Sequence, residues 1–286
     1  MSESARKAKV ITVINLKGGV GKTHTVWMFA AVCERRGKHI LAVDLDTQAN
    51  LTNSFTPGPS NKPGVDVLFA PAGDTIPHYV DQATAFASIS LVPAGPRLSR
   101  FDVSDQAEWE RSELHLALVE PTDRWRCRYD YVVFDCPPRL SVVSFAALCA
   151  SDYVIIPLEA ADWGAQGILQ VTTAIEYVQG RHNRDLHLLG YLVSRFKRAR
   201  SFQQSYLAQL RQRFGELAFD TLIPDLAQFE QSVCARIPIT RHAPRSRAAG
   251  IAREFFIEVE ERIAKQERSR IGSCQEFIQP AITSAA

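Results

Sequence analysis

The sequence predicts an α/β fold, a mostly parallel twisted sheet flanked by helices on both faces. Three observations carry this expectation. Short, wholly apolar runs alternate with helical stretches along the chain, as strands covered on both sides do. Three strand ends carry Gly-Lys or Asp, at the edge where such sheets bind ligands. The chain has 286 residues, 46% hydrophobic and 22% charged, enough to bury a large core and unlike disordered, collagen-like or coiled-coil chains.

The elements follow in order. Residues 10–14 form a β-branched run, then a glycine-rich turn, then a helical stretch over about 23–36 closed by Gly37. Residues 40–43 are a second apolar run, ending at Asp44. Residues 89–92 are a third, stopped by Pro93, and 131–134 a fourth, ending at Asp135. Residues 153–156, stopped by Pro157, and 186–193 complete the set. Helical patterns lie over 166–179 and 202–214. Residues 56–81, rich in Pro, Gly, Ser and Asn, read as a long surface excursion.

A last helix over about 247–265 puts Ile251, Phe255, Phe256, Val259 and Ile263 on one face. Such a helix either docks on the core or lies on a membrane. Glu254, Glu258, Glu260 and Glu261 on its polar face would be repelled by anionic headgroups, which favours docking. The division expected is a disordered tail over 1–8, a single domain over 9–265, and a frayed tail over 266–286, which contains Gly272 and Pro280. The N-terminus lacks the apolar core of a signal peptide, and no stretch is apolar enough to span a membrane. With nine residues ahead of the first strand, no winged-helix extension is expected. Six scattered cysteines without a CxxC pair argue against a zinc ribbon, a thioredoxin-type centre or a disulfide framework.

Charge is unevenly spread. The net charge is +2, but residues 195–247 hold ten basic side chains against four acidic ones. Arginine outnumbers lysine 25 to 8, and guanidinium forks suit phosphate. The excess is either a solvated face or a nucleic-acid footprint.

The strongest motif runs from Lys17 to Thr23. Gly18, Gly19 and Gly21, with Val20 between, let the backbone turn its N–H groups inward around a phosphate. The helix that follows adds its positive end. Lys22 reaches the β- and γ-phosphates, and the Thr23 hydroxyl suits magnesium. Asn15 replaces the first glycine of the general pattern. Asp44 and Asp46 end the second strand one residue apart, as magnesium and an attacking water require, and Asp135 ends an apolar strand as a magnesium-holding acid does. Cys136 reads as a small buried residue. Lys17 cannot comfortably serve the same phosphate as Lys22, so it is either a surface lysine or one that reaches a partner subunit's nucleotide.

These three elements together resemble the ParA/MinD family of deviant Walker-A P-loop ATPases, of the SIMIBI type, and most nearly its ParA (Soj-like) partitioning branch. Supporting stretches are 91–94, 156–159 with 167–169, 219–224 and 242–246, and the resemblance runs from about 9 to 265. It implies ATP and Mg2+ as cofactors and weak intrinsic ATP hydrolysis. The implied nucleotide-binding residues are Lys17, Gly18, Gly19, Val20, Gly21, Lys22, Thr23, His24, Pro224 and Asp225. Lys17, Lys22 and Asp46 would be catalytic, and Thr23, Asp46 and Asp135 would hold the metal. Lys17 looks like the signature lysine that crosses an ATP-dependent homodimer.

The implied partners are a second copy, non-specific double-stranded DNA and a ParB-like centromere-binding protein, with no membrane, in a cytoplasmic and nucleoid-associated setting. Arg200 matches a position that relatives use on DNA, and Arg195, Lys197, Arg198, Arg245 and Arg247 add charge. The sequence departs from the family pattern at His24, Met28, Thr47 and Arg139. It departs again at 225–228, where Asp225 and Gln228 stand in place of basic residues. The alternatives are a MinD-like membrane ATPase, a metallocluster carrier, for which only Cys136 is well placed, and a relative that positions some other cargo.

Overall fold

The computed structural model describes residues 7–56, 63–69, 80–101, 113–160 and 165–282, with side chains through 160 and over 167–270. The tail expected over 1–8 lies outside the described residues up to residue 6. The elements are β1 (Lys9–Val13), α1 (Lys22–Arg35), β2 (Ile40–Asp44), α2 (Asn50–Phe55), β3 (Gln82–Ala83), β4 (Ile89–Val92), α3 (Val119–Trp125) and β5 (Tyr131–Asp135). They continue with α4 (Val142–Ala150), β6 (Tyr153–Glu159), α5 (Ala165–Arg181), β7 (His187–Ser194), α6 (Ser201–Phe214), α7 (Ala227–Ala235), α8 (Ile239–His242) and α9 (Arg247–Ile282).

Among the described residues the sheet has seven strands in the order β3-β4-β2-β5-β1-β6-β7. Every pairing is parallel except that of the short edge strand β3 with β4. β2 and β1 flank β5, so Asp44 and Asp135 stand in register at the same sheet edge.

Both faces are covered, as the unbroken apolar strands require. On one side Ile11, Val13, Ala42 and Val133 pack under α1 and α9. Phe29 of α1 is the pivot there, its ring centroid 5.0 Å from Tyr131 and 4.9 Å from Phe256. On the other side Val10, Val43, Val132 and Ile156 pack under α4 and α5.

Three boundaries differ from the sequence expectation. Pro157 does not stop β6, which continues to Glu159. The carbonyl of Ile155 accepts from Ile14 N on the β1 side, so the missing donor of Pro157 falls on that side too, where the β1 ladder has already ended. The stretch over 56–81 is not wholly a surface excursion: a 3-10 turn, Val65–Phe69, buries Val65, Leu68 and Phe69 in the core. The last helix does not end near 265 but runs to Ile282, and ion pairs of Glu267 with Lys9 and of Arg270 with Asp185 (2.6 Å) tie it to β1 and to the turn before β7.

α9 docks by its apolar face: Phe255, Phe256, Val259 and Ile263 are buried. Its acids act as ties, since Glu258 accepts from Asp220 N and Thr221 N, both at 2.8 Å, and Glu260 from Tyr131 Oη at 3.0 Å. No described helix is long and apolar enough to cross a membrane.

Candidate nucleotide site

The loop between β1 and α1 is shaped by residues on three strands. Asn15, buried, donates from Nδ2 to Pro157 O at 2.7 Å and accepts from Lys17 N at 2.9 Å, so it folds the front of the loop. Ser194, at the end of β7, donates to Val20 O at 2.6 Å and holds the back. Gly19 and Gly21 adopt φ of +78 and +86, which side chains resist, and Gly21 leads directly into α1. The first turn of α1 contains no acidic residue, so its free amide ends face the loop unneutralised.

Lys22 is buried and curls back to donate to Lys17 O at 3.0 Å. Burial lowers its pKa, while Asp135 and Asp46 oppose the shift. The lysine is thus a cation held against carboxylates in a dry site, with a hydrogen bond that an anion could replace. Lys17 sits apart from this group. Its Nζ lies 3.6 Å from Glu159 Oε2 at the edge of the loop, and its side chain is 43% exposed.

The three acids have separate tasks. Asp44 is buried and accepts from Asp46 N (3.1 Å), Thr52 N (2.8 Å) and Thr52 Oγ1 (2.7 Å). Burial raises its pKa to about 6 against the pull of those Thr52 bonds. It is a structural anchor for α2 rather than an open ligand. Asp46, also buried, accepts from Gln48 N at 3.0 Å through Oδ1.

Asp135 is buried with neither oxygen in a well-formed hydrogen bond. Burial and the Asp44 charge push its pKa well up, and the nearby Thr23 hydroxyl and Lys22 only partly offset this. A buried carboxylate without partners is costly, and a cation held between it and the Thr23 hydroxyl would relieve the cost. The residues therefore fit magnesium, with Asp135 and Thr23 as the donors and Asp46 close by.

Beside the loop lies a cavity of about 440 Å³, lined by Gly19, His24, Arg195, Pro224, Asp225 and Phe229 among others. Residues 218–224 run alongside β7, Phe219 N donating to Tyr191 O (2.9 Å) and Ile223 N to Val193 O (2.9 Å), and this carries Pro224 to the loop. The expected residues Pro224, Asp225 and His24 are thus brought to one cavity. His24 packs edge-on to Phe229, ring centroids 4.6 Å apart, and burial lowers its pKa to about 4, so it is neutral.

The basic residues divide. Lys197 pairs with Asp225 at 2.8 Å, and Lys197, Arg198 and Arg247 border a second cavity of about 490 Å³ on the other side of Pro224. Arg200 and Arg245 are exposed. Arg195 turns instead toward the loop. Asn15, Thr52, Ser194 and Glu159 were not singled out by sequence reasoning as site residues, because their roles depend on contacts across 36 to 174 positions in the chain or on a helix start.

A strand, a tight glycine loop and a helix start that together enclose a buried lysine define a P-loop nucleotide-binding protein. The comparisons narrow the class. The chain belongs to the AAA-domain family of ParA/MinD-type P-loop ATPases, whose family model, described as AAA domain, matches residues 8–188. It is 34% identical to the chromosome-partitioning ATPase Soj of Thermus thermophilus over 90% of this chain and 97% of that one. It is 28% identical to the sporulation initiation inhibitor protein Soj of Bacillus subtilis over 88% and 98%. Among solved structures, cobyrinic acid a,c-diamide synthase of Mycobacterium smegmatis with bound ATP analogue and magnesium has a TM-score of 0.73 and 29% identity, covering 87% of this chain and 92% of that one.

Proposed function

We propose that this chain is a ParA-type ATPase for DNA segregation, closing an ATP-dependent sandwich dimer that binds duplex DNA without sequence preference and is discharged by a ParB-like partner. One observation carries the reading. Lys17 stands at the outer edge of the loop, accessible and paired with Glu159, while Lys22 alone occupies the buried cluster. A second copy approaching this edge would receive Lys17 on its own phosphates. The relatives named for chromosome partitioning support the cargo.

In this reading the loop amides and Lys22 hold the β- and γ-phosphates of ATP, and Pro224 and Asp225 border the base. Thr23 and Asp135 would hold Mg2+, with Asp46 beside it. The metal supplies charge neutralisation on the phosphates. Asp46 positions the attacking water, and its carboxylate is already oriented by Gln48 N. Hydrolysis is slow without a partner, because positioning and electrostatics supply most of phosphoryl-transfer catalysis. Lys197, Arg198, Arg200, Arg245 and Arg247 form the DNA face. Docking of α9 by Phe255, Phe256, Val259 and Ile263 speaks against the membrane alternative, and burial of Cys136, which pushes its thiol pKa well up, speaks against that cysteine as a cluster ligand.

The test is duplex DNA binding with no nucleotide, ADP, ATP and a slowly hydrolysed ATP analogue, with Lys17→Ala beside the wild type. ATP should switch binding on, and Lys17→Ala should abolish that switch while still binding ATP. DNA binding that ignores nucleotide, or its absence with every nucleotide, overturns the reading.

A further inference from the structure

The end of β7 carries a feature that the sheet does not need. Arg195 has φ +52, a region that a non-glycine residue keeps only where its surroundings enforce it. Both neighbours do so. Ser194 is tied to the loop through Val20 O (2.6 Å) and to β6 through Leu158 O (3.3 Å). On the other side, Phe196 N donates to Ile223 O at 3.0 Å. The left-handed turn between these anchors brings the Arg195 guanidinium back over the glycine loop: its Nη1 lies 4.0 Å from where a Cβ on Gly19 would stand.

Arg195 also borders the 440 Å³ cavity together with Gly21, His24, Pro224 and Asp225. Among the described residues lining that cavity it is the cationic one, His24 being neutral. Asp225, on the same lining, is paired with Lys197 at 2.8 Å. The planar fork of Arg195 has five N–H donors and no acceptor, which suits phosphate oxygens.

We infer that Arg195 is a nucleotide-binding residue acting in cis, its guanidinium donating to the polyphosphate of the nucleotide held by its own loop, and not a DNA contact. This rests on the nucleotide-binding reading above and reassigns a residue that the sequence, by charge alone, counts toward DNA. Since the contact is made beside the first part of the loop, ADP and ATP should both depend on it.

The experiment is equilibrium binding of fluorescent ADP and ATP without DNA, for wild type, Arg195→Gly, Arg195→Lys and, as a control on a remote exposed arginine, Arg184→Ala. Glycine accepts the positive φ without strain, so Arg195→Gly removes the side chain while sparing the turn, and circular dichroism and thermal unfolding check that it is folded. Loss of a hydrogen bond to a charged group predicts about tenfold weaker binding of both nucleotides by Arg195→Gly. Arg195→Lys, which keeps the charge and loses the fork, should fall between, and Arg184→Ala should match the wild type. If Arg195→Gly binds both nucleotides as the wild type does, the inference is overturned, whatever happens to DNA binding. A wild type that binds neither nucleotide overturns the nucleotide reading itself.

Discussion

The carboxyl ends of β1, β2 and β5 and the basic segment after β7 handle charge in opposite ways. At the strand ends Lys22, Asp44, Asp46 and Asp135 are all buried. Asp44 alone accepts three hydrogen bonds, and Asp135 has none in good geometry. In the basic segment Lys197, Arg198, Arg200 and Arg245 are exposed, and the ion pair of Lys197 with Asp225 is itself partly in water. The difference teaches which charges act singly and which act in sum. A charge in a dry site interacts strongly and has one geometry, whereas exposed charges are screened and exchangeable.

The largest expected effect is at Lys22. Lys22→Ala removes the buried cation of the phosphate cluster and should lower ATP hydrolysis and ATP affinity by at least about 100-fold, measured by phosphate release and equilibrium binding. A loss of only a few-fold would mean that the strand-end cluster behaves like the exposed segment, and the comparison would fail.

The next effect concerns the anchor of Asp44. Thr52→Val deletes one of its hydrogen bonds and should cost about 1–3 kcal/mol of stability. The pH dependence sharpens this. The folded pKa of Asp44 is raised to about 6 from 3.8, so the folded state binds this proton more tightly than the unfolded state. Its contribution to stability is complete below pH 3.8 and is lost as pH rises through 6. The Thr52 hydroxyl opposes that rise in pKa, so its loss should cost more at pH 7.5 than at pH 4.5. Denaturant unfolding at the two pH values checks this, and an equal cost at both would show that Asp44 is not the titrating group.

The smallest effect is at the exposed end. Arg200→Ala should weaken DNA binding only about threefold and reduce the slope of log affinity against log salt by roughly 0.9, one phosphate contact. An abolished DNA response would make Arg200 a specific anchor rather than one charge among several.

Much of the site was legible in the chain. The spacing from Lys17 to Thr23 and the strands ending in Asp44 and Asp135 are local patterns, and local patterns survive folding because they are set by backbone geometry and by which face a strand buries. Pro157 misled, because whether a proline ends a strand depends on whether the neighbouring ladder still needs its N–H. The buried Val65–Phe69 turn escaped notice, because turn-rich composition says nothing about what the turn packs against. The reach of α9 to Ile282 also escaped notice, since its ties run to Lys9 of β1 and to Asp185 in the turn before β7, both far away in the chain.

The sequence by itself determined the α/β class, the phosphate loop and the identity of the acids around it. Each follows from short-range alternation and from residue types that have few other uses at those spacings. Only the tertiary structure decided how the acids divide their work, with Asp44 satisfied by Thr52 and Asp135 left open, and where Arg195 points. Those outcomes depend on hydrogen bonds between residues far apart in the chain, and on which polar groups burial leaves without water.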